Sequence, residues 1–225
     1  MSASALSPLS RLDLVRTRWG RLYSLSGAVS LAGFLLAHVV VQASALGGWQ
    51  SHRRLSEAID WIPLAICLEI VCVYLPLLAH LVLGVLRSAS EHPVDGELPR
   101  RILHGLGAAS LGVFLVFHVW QFRWRLWTGQ IDRTDMFPEL VASLSSTVLG
   151  GIPLTAIAYL VGIAAAASHG ARCVYAVCCE WQLVPLAKQR ALGRACTALA
   201  IITFLVGASV VIDLATGAIV PRFPG

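Results

Sequence analysis

Ser110–Phe122 reads SLGVFLVFHVWQF. Twelve of these thirteen residues suit a helix surrounded by lipid or by other helices; the thirteenth, His118, does not. The stretch lies inside a longer apolar run, Ile102–Trp127, and four others match it: Leu22–Leu46, Trp61–Leu86, Gly150–Val177 and Ala191–Ala215. Each exceeds the ~20 residues that a helix rising about 1.5 Å per residue needs to cross about 30 Å of hydrocarbon. The whole 225-residue chain agrees, with 57% hydrophobic and 13% charged residues, where a soluble domain carries about 25% charged. Mean hydropathy is +0.75. Alternating strand-length segments are absent, and lipid tolerates no open sheet edge. The expected fold is an all-α integral membrane protein: a five-transmembrane-helix bundle over residues 21–217, between an N-terminal segment 1–20 and a short tail 218–225.

The first run resembles a signal peptide, with basic residues before it and Ala43-Ser44-Ala45 at its end. It is too long for a secretory core of about 7–15 residues, so it reads as a retained helix. Ten basic residues, Arg18, Arg21 and Arg87 among them, fall on one side of the bundle, and six, including Arg53, Arg123 and Arg125, on the other. The positive-inside rule then places the N-terminus and segment 1–20 in the cytoplasm and the tail outside. The net charge of +5 sits at helix ends, and no aromatic–basic surface suggests nucleic acid. The six cysteines form no CxxC and read as small apolar residues.

Seven histidines are present; His52, His92 and His104 lie at loops or helix starts. The other four fall one per helix: His38 in LLAHVVV, His80 in LLAHLVL, His118 in LVFHVWQ and His169 in AASHGAR. A single intramembrane imidazole is adequately explained by a hydrogen bond to a neighbouring helix. Four are not, because each costs free energy and demands a partner. Depth sorts them. Counted along helices of alternating direction, His38 and His118 lie roughly 25 Å from the cytoplasmic face, and His80 and His169 roughly 28 Å from the outer one. Two pairs at two levels follow.

Paired neutral imidazoles from opposing helices suit haem iron better than zinc, which usually takes four ligands or three plus water. With both axial positions filled by protein, such iron moves electrons and does not bind oxygen. Gly84, Gly170 and Gly33 lie near the histidines. They would let a flat porphyrin approach, and ordinary packing of membrane helices explains them as well. The first and third helices are weakly alike, with Gly27 and Gly107 each eleven residues before a histidine.

Three runs now carry a resemblance: RLYSLSG…LLAHVVV (Arg21–Val41), LEIVCVYLPLLAHLVLGV (Leu68–Val85) and GVFLVFHVWQ (Gly112–Gln121). They resemble the dihaem cytochrome b membrane-anchor subunit of bacterial succinate:quinone reductases (complex II), in its Gram-positive succinate dehydrogenase and epsilon-proteobacterial fumarate reductase forms. The resemblance covers roughly residues 18–177. It implies two haem b groups, His38 and His118 holding the distal one and His80 and His169 the proximal one. It also implies a flavoprotein (FAD) subunit, an iron–sulfur subunit docked on the cytoplasmic face, and a membrane quinone, menaquinone being the expected one. Electrons would pass from the iron–sulfur subunit through the proximal and distal haems to the quinone, or in reverse for fumarate. The location implied is the bacterial cytoplasmic membrane. One position departs from the pattern: the fumarate reductase type carries Glu two residues before the fourth ligand, where this chain has Ala167.

Among secondary candidates, Glu69 lies eight residues into the second helix, about level with the distal pair. It reads either as a carboxylate handling quinone protons or as a structural partner of another helix. Arg172, three residues after His169, reads either as a haem-propionate partner or as a cation reaching the interface. Glu57, Asp60 and Trp61 are weaker candidates for the quinone pocket, and Gln42 and Gln121 for the distal one. Pro76 is expected to bend the second helix. Two competing functions remain open: another dihaem cytochrome b of hydrogenase, formate dehydrogenase or ascorbate-reducing type, and a haem-free transporter or anchor with histidine proton relays.

Overall fold

The computed structural model describes residues 8–60, 65–90, 98–148 and 150–217. Residues 1–7, Trp61, His92 and the tail 218–225 lie outside the described residues, as do the side chains of Asp60 and His104. In chain order the helices that matter are α1 (Arg18–Gly47), α2 (Trp49–Asp60), α3 (Ile66–Arg87), α4 (Gly105–Trp127), α5 (Met136–Ser145), α6 (Leu154–Glu180) and α7 (Leu186–Thr216). Of these, α1, α3, α4, α6 and α7 are long and apolar enough to cross a membrane. They overlap all five expected runs. α6, expected from Gly150, starts only at Leu154. Gly150 and Gly151 adopt φ of 79° and 92°, turning the chain between the bridged residues Val148 and Ile152. Pro153 then precedes the first helical residue.

The spans alternate in direction. At one end, the start of α1 meets the ends of α3 and α6: Arg21 Nε donates to the Glu180 carbonyl at 3.3 Å, and Arg87 pairs with Glu180 at 3.8 Å. At the other, Ala45 of α1, Phe122 of α4 and Leu214 of α7 pack with Val141 and Leu144 of α5. A second buried cluster, Leu31, Leu111, Ala166 and Cys173, lies on α1, α4 and α6.

The core centres on α6, which buries Ala156, Tyr159, Gly162, Ala166, Ala167 and His169 among others, whereas α3 is largely exposed. The outward face of α3 carries Leu75, Leu78, Leu81, Val82, Val85 and Leu86, all exposed. An apolar belt of this extent is a membrane-contact surface; the chain is a multi-pass membrane protein. Small residues sit where the spans meet: Gly170 lies against Leu31 and Ala32 of α1, and a Cβ on Gly207 would come within 2.9 Å of Ile163. Gly217, in left-handed φ, ends α7 by donating to the Asp213 carbonyl.

Three spans contain a π turn: Ala28–Gly33 in α1, Ile70–Tyr74 in α3 and Val119–Trp124 in α4. The turn in α3 accounts for Pro76. Proline clashes with the carbonyl four residues back, here Cys72, which lies inside the widened turn. Such turns recur at functional sites, and each of these lies within a few residues of a histidine singled out above.

Candidate functional site

The four intramembrane histidines meet in two pairs. His38 of α1 faces His118 of α4 with ring centres 5.7 Å apart and planes at 82°. His80 of α3 faces His169 of α6 at 5.9 Å and 88°. The first pair lies toward the α5 end and is half-buried; the second lies toward the Glu180 end and is buried. Tyr159, which touches the first pair, and His169 of the second are ten positions apart on α6, or about 15 Å along its axis.

Each pair is held from behind. His80 Nδ1 donates to the Tyr23 carbonyl at 2.9 Å, since a carbonyl can only accept, and the Tyr23 ring stacks on the imidazole with centres 4.3 Å apart. With its proton on Nδ1, His80 keeps the Nε2 lone pair, the form in which imidazole binds a metal. Gly27 makes this fit possible: a Cβ there would sit 2.5 Å from His80 Cε1 and 2.9 Å from Cys173 Sγ. In the other pair, His118 Nδ1 lies 3.0 Å from the Tyr159 hydroxyl. Phe114 stacks on His118 and Phe34 on His38.

This donor set fits a metal held between two imidazoles. A metal–nitrogen bond of about 2 Å on either side puts the ring centres about 6 Å apart, close to both separations found. At the buried pair, ligand atoms of His80, His169 and Cys173 all lie within 4.8 Å of one another. That thiol was read from sequence only as an apolar filler; its place four residues after His169, on the same helix face, is the signal for it.

The secondary candidates fare differently. Glu69 forms a salt bridge with Arg123 of α4 and accepts from the Tyr74 hydroxyl at 3.1 Å. Tyr74 meets the Trp127 ring edge-on at 5.8 Å, and the Arg123 guanidinium lies 5.4 Å from the same ring. Arg123 is five residues beyond His118, so this cluster sits about one π turn further toward the α5 end. Arg172 is exposed, its guanidinium 3.9 Å from where a Cβ on Gly107 would be. Glu57 pairs with Arg53 on the exposed face of α2. Gln121 bonds Tyr159 and Ser143. Ala167 is buried.

Tyr159 and the burial of His52 also escaped the sequence reading. Tyr159 backs His118, and nothing in AIAYLVG distinguishes it from a lipid-facing tyrosine. His52 lies in the first turn of α2, at a helix start as expected, but it is buried, 8% exposed, with its ring 5.5 Å from Phe137 of α5. Its Nε2 is buried without a hydrogen-bond partner among the described residues.

No family model matches the chain, and no solved structure matches it. The resemblance drawn from the three runs nevertheless stands: over 166 residues, 72% of this chain and 78% of the relative, the protein is 26% identical to the succinate dehydrogenase cytochrome b558 subunit of Bacillus subtilis (strain 168).

Proposed function

We propose that this chain is the dihaem membrane-anchor and electron-transfer subunit of a bacterial succinate:quinone oxidoreductase. The observation that carries the reading is the meeting of His38 with His118 and of His80 with His169, at two levels of one bundle. Two haem b groups, one held by His38 and His118 and the other by His80 and His169, would supply one-electron transfer across the bilayer. The chain's own residues bind and orient: His80 is aimed by Tyr23, His118 by Tyr159, and Arg172 on the His169 helix is assigned to a haem propionate.

The half-buried His38/His118 pair is the end at which a quinone from the bilayer is reached. There Glu69, with Tyr74 and Arg123, is the carboxylate assigned to proton handling during quinone reduction. Menaquinone is the proposed quinone. Succinate oxidation belongs to a flavoprotein (FAD) subunit, and its electrons arrive through an iron–sulfur subunit. The basic, N-terminal end of the bundle faces the cytoplasm and docks that subunit, and the location is the bacterial cytoplasmic membrane.

The test is purification of the complex from its native membrane. Expected are a co-purifying flavoprotein and iron–sulfur protein, and a dithionite-reduced minus oxidised spectrum of two bis-histidine haems. His38→Ala and His118→Ala should remove one haem, His80→Ala and His169→Ala the other. A featureless spectrum from well-expressed protein overturns the haem reading. Haems with a hydrogenase or formate dehydrogenase partner overturn the assignment to succinate.

A further inference from the structure

The two imidazoles with identified Nδ1 acceptors are held by different means. His80 leans on a main-chain carbonyl, which can only accept. His118 leans on a hydroxyl, which can donate or accept, so something else must decide its direction. Gln121 decides it. Its Nε2 donates to the Ser143 hydroxyl of α5, leaving Oε1, an acceptor only, 3.0 Å from the Tyr159 oxygen. The single phenolic proton is therefore spent on Gln121. The lone pair that remains faces His118, so the shared hydrogen is the imidazole's own, on Nδ1, and Nε2 keeps its lone pair. With Tyr159 5% exposed, the bulk solvent offers little competition. The reversed arrangement, with the phenol donating to Nδ1, would put the imidazole proton on Nε2 and block ligation there.

We infer that Tyr159, oriented by Gln121 and Ser143, is a positioning residue that locks His118 in the Nδ1–H tautomer and aims its Nε2 across the bundle at His38. The inference deepens the proposed function and rests on His118 being a ligand. It also gives α5 a role: the short helix outside the spans supplies the terminal anchor of the chain. A hydrogen bond from Nδ1 raises ligand basicity, so this network also sets how strongly His118 donates to its metal.

The test has two arms, both on the full chain. In haem-free protein carrying 15N-labelled histidine, the His118 signal, assigned by its loss in His118→Gln, should report the Nδ1–H tautomer. Tyr159→Phe should release it to a mixture, and Gln121→Leu, which frees the phenolic proton to donate, should shift it toward Nε2–H. Gln121→Glu, which keeps an acceptor, should restore it. In the purified complex, Tyr159→Phe should raise the midpoint potential of the haem that His38→Ala removes and leave the other where it was. Gln121→Leu should lower the content of that same haem. An Nε2–H signal in the parent chain, an unchanged tautomer in both variants, or equal movement of both haem potentials overturns the inference. An Nδ1–H signal in a chain that binds no haem overturns the functional reading alone.

Discussion

A Cβ on Gly162 would overlap the ring of Phe114, so α4 and α6 meet where one contributes an aromatic ring and the other a bare backbone. The ring wedged there is not a passive filler. It stacks on His118 with centres 5.6 Å apart and meets Tyr159 edge-on at 5.3 Å.

Gly162→Ala should therefore displace Phe114 and, through it, both His118 and Tyr159. Overpacking of this kind costs about 1–3 kcal/mol. A lowered thermal midpoint together with loss of the haem proposed at His38/His118, the other retained, is the expected outcome. Equal loss of both haems would show a general folding defect instead.

Gly27 has the mirror-image role at the other pair. Gly27→Ala puts a methyl group against His80 Cε1 and Cys173 Sγ and should pull His80 off the Tyr23 carbonyl. The haem proposed at His80/His169 should fall in the difference spectrum while the other persists. Unchanged content of both would mean that the imidazole has room the packing does not show.

Glu69 and Arg123 are 20% and 25% exposed in their side chains, so removing either leaves a partly buried charge alone. Glu69→Leu should cost about 1–3 kcal/mol, read as a lower unfolding midpoint in detergent. Glu69→Gln keeps a hydrogen-bond acceptor for both Arg123 and Tyr74. It should fold normally, keep both haems and slow succinate-driven quinone reduction. Undiminished turnover in Glu69→Gln would reduce Glu69 to a helix-to-helix strut.

Burial holds the His52 imidazole below its ordinary value. The folded chain thus keeps it neutral in a range where the unfolded chain, with histidine near pH 6.5, has taken up a proton. Because the unfolded state binds more protons there, stability falls as pH drops through about 6.5. His52→Leu should flatten that fall, seen by comparing unfolding midpoints at pH 7.5 and 5.5. Parallel curves for parent and variant would contradict it.

The spans were legible because a run of some 25 apolar residues has one physical solution in a bilayer. The pairing of histidines was legible for a related reason: fixed rise per residue converts sequence position into depth, and only two of the four can share each level. What escaped were groups whose meaning depends on rotation about a helix axis or on segments outside the spans. Tyr159 looks like any tyrosine until α6 turns it toward His118. His52 looks like a surface residue until α2 folds back over α5. Arg123 reads as a topology charge, yet it is the partner that Glu69 needed. Gly150 reads as helix because its neighbours are apolar, while its backbone conformation ends any such extension.

The widened turns in α1, α3 and α4 bear on which changes in chain length the protein survives. A π turn holds one surplus residue without rotating the helix on either side of it. One codon deleted within Ala28–Gly33 should close that turn to ordinary α geometry and leave His38 aimed as before. The same deletion between Gly33 and His38 would swing the imidazole by about 100°, out of the bundle. Single-residue gaps in descendants of this gene should accordingly gather at the three loosened turns and spare the stretches between turn and ligand.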